Sequence, residues 1–155
     1  MEPEIRNYVD VLDQLRERFK AAVQNMHAKQ LNWVPTSEGS NSPYVLAHHI
    51  AGSETMWIHQ IVGQLNVARN RDAEFQAAGE NPETLIKQFE SVAATTITIL
   101  GKLTLDDLAQ LRAQPARRGS GKETVRWCIT HVIEHYAEHL GHLDLTHQIY
   151  QSANN

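Results

Sequence analysis

Apolar residues recur at alternating steps of three and four from residue 4 to about residue 29, at Ile5, Tyr8, Leu12, Leu15, Phe19, Ala22 and Met26. That spacing predicts a first long helix with a bundle-type seam. Breakers crowd residues 34–41, and Ser42-Pro43 then reads as an N-cap serine followed by a proline in the first turn. A second helix is expected from residue 43 to about 67, apolar at Leu46, Ile50, Trp57, Ile61 and Leu65. Asn81-Pro82-Glu83 repeats the cap, proline and acid signal, and Leu85, Phe89, Val92, Thr96, Ile99 and Leu103 step like a third helix. Between Leu103 and Lys122 the pattern breaks. Thr104 to Asp107 suggests one short turn, Pro115 blocks a helix, and Arg117-Arg118-Gly119-Ser120-Gly121 reads as a mobile loop. The fourth helix is expected from near residue 123 to about 150, apolar along Ile129, Ile133, Tyr136, Leu140 and Leu143, and no segment carries a convincing strand signal.

Four amphipathic helices predict an all-α chain, a single domain over residues 1–155 forming an up-down four-helix bundle with a longer crossing between helices 3 and 4. Composition narrows the function. A net charge of −4 leaves no basic face for nucleic acid or an anionic membrane. The longest uncharged apolar run, residues 91–101, is half of the ~20 residues a span requires. A single cysteine, Cys128, precludes an internal disulfide, and the first residues lack the pattern of a secretory signal, so a cytoplasmic location is expected.

The chemistry lies in histidine. His131, His135, His139 and His142 follow one another at steps of four, four and three, which stacks four imidazoles within an arc of roughly 80° on a helix. His135 and His139, an i, i+4 pair, stand nearest the apolar stripe, and this spacing lets two imidazoles hold one ion. In the second helix His49 falls on the apolar side, whereas His48 points nearly opposite and reads as a surface residue. Burying three unpaired imidazoles is costly, and one divalent ion satisfies them together. The metal ligands expected are therefore His49, His135 and His139, with an open position for water or substrate.

The run His49 to Glu54 followed by Trp57, and the run Trp127, His131, His135, His139, Gly141, His142 and Asp144, resemble the DinB/YfiT-like superfamily of four-helix-bundle proteins. The resemblance spans most of the chain and assigns the same three histidines as ligands, for zinc or nickel, with iron as a further option. It implies a metal-dependent enzyme, a transferase using a low-molecular-weight thiol such as mycothiol or bacillithiol on a small-molecule substrate, in a homodimer. His147 departs from the arginine common in related sequences, which puts any substrate contact there in doubt.

Glu138 lies beside the pair and is the candidate catalytic base, which keeps a metal-dependent hydrolase open as an alternative. A third reading is a non-enzymatic metal-binding or stress-response module, with His142 or Glu54 closing the coordination sphere. Two inward histidines also fit a haem ligand pair, which a colourless protein would exclude. The His-x-x-Glu-His strings at residues 131–135 and 135–139 match an inverted zinc-protease motif only because the helix alternates glutamate and histidine. Gly119 to Glu123 imitates a phosphate loop without its magnesium-binding hydroxyl. Cys128, Trp57, Trp127 and Met56 are read as packing, and Arg112, Arg117 and Arg118 as loop charges able to meet a carboxylate.

Overall fold

The structure is a computed structural model that describes residues 1–36, 39–114 and 121–154. The helices are α1 (Pro3–Val23), α2 (Ala28–Leu31), α3 (Pro43–Glu54, continued as a π-helix over Thr55–Val62), α4 (Arg71–Glu74), α5 (Glu83–Leu100) and α6 (Val125–Asn154). A 3₁₀ turn at Asp107–Ala109 and two short strands, β1 (Leu111–Ala113) and β2 (Lys122–Thr124), precede α6. Among the described residues no helix is long and apolar enough to cross a membrane.

Helices α1, α3, α5 and α6 form the expected four-helix bundle, but not in the expected up-down order, because α3 and α5 run the same way. Both α1 and α3 pack against α5 and α6, so α1 stands across the diagonal from α3. The cross-helix contacts fix the directions. Glu4 meets Arg126 and Phe19 meets Tyr136, so α1 and α6 run parallel. His48 meets Gln88, and Glu54 and His59 meet Thr96, so α3 and α5 also run parallel. Parallel neighbours need a long return. Residues 63–82 supply it, in addition to the crossing expected between α5 and α6, and this crossover carries α4 across the bundle.

The helix starts follow local chemistry. Ser42 Oγ accepts from Val45 N–H at 3.2 Å, Asn81 Oδ1 accepts from Glu83 N–H at 3.2 Å, and Thr124 Oγ1 accepts from Trp127 N–H at 3.1 Å. The expected turn is also present, with Thr104 and Asp107 bonding each other's backbone and side chain. Three boundaries differ from the periodicity. The first helix stops at Val23 rather than near residue 29, and His27 caps the short α2 while Met26 still fills the core. The second ends at Val62 in i→i+5 register, as in the Gly63 N–H to Ile58 bond of 2.8 Å, which turns Ile58 and His59 inward beside Trp57 and leaves Leu65 exposed beyond the end. The region read as strandless holds a hairpin in which Leu111, Arg112 and Ala113 pair with Thr124, Glu123 and Lys122. Three-residue, mostly polar strands are too short to show a period. Residues 115–120, including Pro115, Arg117, Arg118, Gly119 and Ser120, lie outside the described residues.

One apolar core runs through the bundle from Ile5, Leu12 and Phe19 to Phe89, Val132, Tyr136 and Leu140. Cys128 is fully buried within it, and burial, helped by the charge of Glu123, pushes its thiol up to about 11. That matches the packing reading and leaves little thiolate at neutral pH.

Candidate metal centre

Helix α3 presents His49 inward, and α6 presents His135 and His139 one turn apart toward it. Their nearest ring nitrogens all lie within 4.8 Å of one another. The ring centroids are 5.3 Å apart for His49 and His135, 5.4 Å for His49 and His139, and 4.4 Å for His135 and His139. His49 is buried and the other two are half-buried. The cluster is the one expected from the helix faces.

Each ring is held through its Nδ1. Glu74 Oε2 lies 2.9 Å from His49 Nδ1, Ser53 Oγ lies 3.0 Å from His135 Nδ1, and His142 Nδ1 lies 3.3 Å from His139 Nδ1. An imidazole held at one nitrogen coordinates through the other, so Nε2 is the donor each ring offers an ion. Glu74 arrives from the crossover and is itself clamped by Arg69, whose Nε and Nη2 donate to its two oxygens at 2.6 and 2.7 Å. Burial alone would raise the Glu74 pKa, but the bonds from Arg69 and His49 hold it at about 2. It is therefore a carboxylate, and His49 Nδ1–H is its donor. Arg69 Nη2 also comes within 3.4 Å of that Nδ1. A protonated nitrogen cannot accept from it, so this approach is a contact and not a bond.

Gly52 makes room for this arrangement. A Cβ there would stand 2.3 Å from Glu74 Oε1 and 2.9 Å from its carboxyl carbon. On the other flank Phe75 leans on the His49 ring at 4.9 Å, and the Arg71 guanidinium covers Phe75 at 4.7 Å. Burial, and secondarily the charge of His49, pulls the His139 pKa down to about 4, so this ring keeps its lone pair at neutral pH. A cavity of about 200 Å³ stands over the cluster, lined by Asn41, Val45, His49, Arg71, His135 and Glu138 among others.

The remaining candidates separate. Glu138 is exposed at the cavity rim. His142 is exposed and touches His139 at its Nδ1. His131 leaves the cluster for an aromatic stack, parallel to Trp127 at 4.8 Å and edge-on to Trp57 at 5.0 Å. Glu54 is not available as a ligand. Its Oε1 accepts from Arg16 and Thr96 and its Oε2 from Tyr136, on the core side of α3. His48 is half-buried rather than a plain surface residue, bonded to Gln88 of α5 at 2.7 Å. His147 is tied to Gln30 and Gln151, and Arg112 to Gln110.

Sequence reasoning missed Ser53, Arg69 and Glu74. Ser53 stands four residues after His49 and shares its helix face, a signal that was readable. Arg69 and Glu74 sit in a polar crossover with no period to interpret. Replacing Glu74 with alanine is expected to weaken divalent-metal affinity by about 10–100-fold, the usual cost of removing a ligand's hydrogen-bond partner. Gly52→Ala is expected to weaken it in the same direction by displacing that carboxylate. Competition titration against a chromophoric chelator reads both, and affinities within about twofold of the parent would show that Glu74 does not orient His49.

A family model described as mycothiol-S-transferase matches residues 7–151. Among solved structures, YfiT from Bacillus subtilis, described as a probable metal-dependent hydrolase with an unusual four-helix bundle topology, aligns with a TM-score of 0.76 at 16% identity, covering 96% of this chain and 89% of that one. A conserved protein from Enterococcus faecalis aligns at 0.74 and 14% identity, covering 96% and 97%. A DinB-like protein from Bacillus cereus aligns at 0.72 and 13%, covering 96% and 92%. A search of curated proteins returned no match. At these identities the structures speak for the fold, which is that of DinB/YfiT-like proteins.

Proposed function

The chain belongs to the mycothiol-S-transferase family, and from that premise we propose that it is a metal-dependent S-transferase in which His49, His135 and His139 hold one divalent ion. The observation that carries this reading is the convergence of three imidazoles, each already oriented at Nδ1 by a partner of its own. A three-nitrogen set on helical scaffolding suits zinc, nickel or iron and leaves a coordination position open. When bound, such an ion supplies a Lewis acid that lowers the pKa of a thiol or water beside it.

The chain's own residues would do the rest. The Arg69–Glu74 clamp fixes His49, Ser53 fixes His135, and Phe75 with Arg71 closes one wall against water. Glu138 at the rim takes the proton from the thiol of a low-molecular-weight cofactor such as mycothiol. The sulfur forms a bond to an electrophilic carbon, and the leaving group departs with its bonding electrons. We also propose a cytoplasmic homodimer, the setting implied by a thiol cofactor and by the family resemblance.

The YfiT description gives a second reading, in which Glu138 deprotonates water for ester or amide hydrolysis. The two are separated by assaying the metal-loaded protein with mycothiol plus monochlorobimane, and with p-nitrophenyl acetate and no thiol. Conjugation should require both thiol and metal, vanish on chelation, and fall by about 10²-fold or more in Glu138→Gln. Thiol-independent, metal-dependent ester cleavage would replace the transferase by the hydrolase. Full metal loading with turnover in neither assay would leave a metal-binding module.

A further inference from the structure

A second cavity, of about 320 Å³, adjoins the one over the histidines and shares Asn41, Leu46 and His139 with it. Its remaining wall is largely hydrocarbon, with Pro35, Leu145 and Ile149 beside Thr146. Leu145 and Ile149 are 54% and 39% exposed and sit at i, i+4 on α6, an unusual exposure for two large aliphatic side chains in a row. On the facing wall Thr36 and Ser40 bond each other, with hydroxyls 2.9 Å apart and Ser40 Oγ donating to Thr36 C=O at 3.0 Å.

The groove has two distinct ends. His139 opens it, His142 follows one turn later, and Leu145 and Ile149 complete it, so about 15 Å of helix leads from a metal-ligand candidate to bare hydrocarbon. We infer that this groove receives the apolar body of the electrophilic substrate, an alkyl or aryl chain whose reacting carbon lies over His49, His135 and His139. The inference rests on the function proposed above and names which of the two reactants the groove takes. A sugar-containing thiol would leave its hydroxyls facing Leu145 and Ile149 without partners, at a desolvation cost, whereas a hydrocarbon chain gains from every methylene removed from water. Asn41, Arg71 and Glu138, on the metal-side cavity, offer polar groups to the thiol. Continuity with the histidine cluster through shared wall residues separates this groove from an isolated apolar surface patch.

The test uses zinc-loaded protein and n-alkyl hydroxamates from acetohydroxamate to decanohydroxamate, whose head group binds divalent metals. Calorimetry should show affinity tightening on the order of threefold per methylene as the chain enters the groove. Leu145→Asp and Ile149→Asp, both at exposed positions, should flatten that dependence while leaving acetohydroxamate affinity unchanged. Hydroxamates that bind equally at all chain lengths would overturn the groove and keep the metal site. Failure of every hydroxamate on the zinc-loaded protein, acetohydroxamate included, would overturn the open coordination position, and with it both the proposed transferase and the groove. Sedimentation of both variants supplies the other exclusion. A wild-type dimer that dissociates on Leu145→Asp would make a second copy of the chain the occupant and overturn the substrate assignment.

Discussion

Replacing His49, His135 or His139 with alanine, one at a time, is expected to reduce bound zinc, nickel or iron from about one per chain to a trace and to weaken affinity by at least 10²-fold. Removing only a ligand's hydrogen-bond partner costs about 10–100-fold, and removing the ligand itself costs more. The contrast with the neighbouring histidines carries the argument. On the helix surface His131, His135, His139 and His142 form one continuous line, and a surface that binds ions non-specifically would treat them alike. The structure divides them, because His131 stacks on Trp127 and Trp57 and His142 is exposed and only touches His139 at Nδ1. His131→Ala is therefore expected to retain the ion fully, and His142→Ala, which removes only an exposed partner of His139, to lose about tenfold, the low end of that range. Elemental analysis and competition titration, with circular dichroism to confirm the fold, decide the matter. Equal losses across all four α6 histidines would mean that ions bind along the ladder and that no three-histidine centre exists.

The largest effect on stability is expected from Glu54→Ala. Glu54 is 0% exposed and Arg16 2% exposed, and they meet at 2.6 Å, with Thr96 and Tyr136 donating to the same carboxylate and His59 behind Thr96 at 3.1 Å. In the low dielectric of the core each of these bonds is strong, and each partner left unpaired is costly. Removing the carboxylate leaves a buried guanidinium with Asp13 as its remaining carboxylate partner among the described residues, and two hydroxyls with lost acceptors. The expected cost is about 3–5 kcal/mol, a large share of the ~5–15 kcal/mol that holds a domain together, and a drop in Tm of roughly 6–20 °C for a chain of this size. Glu54→Gln keeps one acceptor oxygen and turns the other into an N–H donor, so it should lose less than alanine but not match the parent. Arg16→Met combined with Glu54→Leu removes both charges and should recover much of the loss, because a buried ion pair and a well-packed apolar pair differ little in net stability. A Tm change below about 2 °C in Glu54→Ala would show that water reaches Arg16 and that the pair is not buried in solution.

The two networks occupy adjacent positions. Ser53 and Glu54 are neighbours on α3, as are His135 and Tyr136 on α6, and the bonds Ser53–His135 and Glu54–Tyr136 cross the same interface on opposite sides. One helix register therefore serves both the core and the site. In the sequence Glu54 reads equally well as an outer-sphere group or as an ordinary helix acid. Its place depends on Arg16, 38 residues away, which leaves no local signal.

The sequence by itself determined the four helices, their caps and their buried faces, because apolar spacing and the Ser42-Pro43 and Asn81-Pro82 signals act within a few residues. It also determined which histidines could meet, since an i, i+4 pair beside a core stripe and a single inward histidine on another helix are properties of each helix alone. Tertiary structure decided the rest. That α3 and α5 run parallel forces a crossover over the site, and this crossover delivers Glu74 and Arg69 to His49 through the gap left by Gly52. It also decided that Glu54 turns to Arg16 and that the groove beyond His139 is hydrocarbon. Those outcomes depend on contacts between segments with no periodic relation, and they form only when the helices pack.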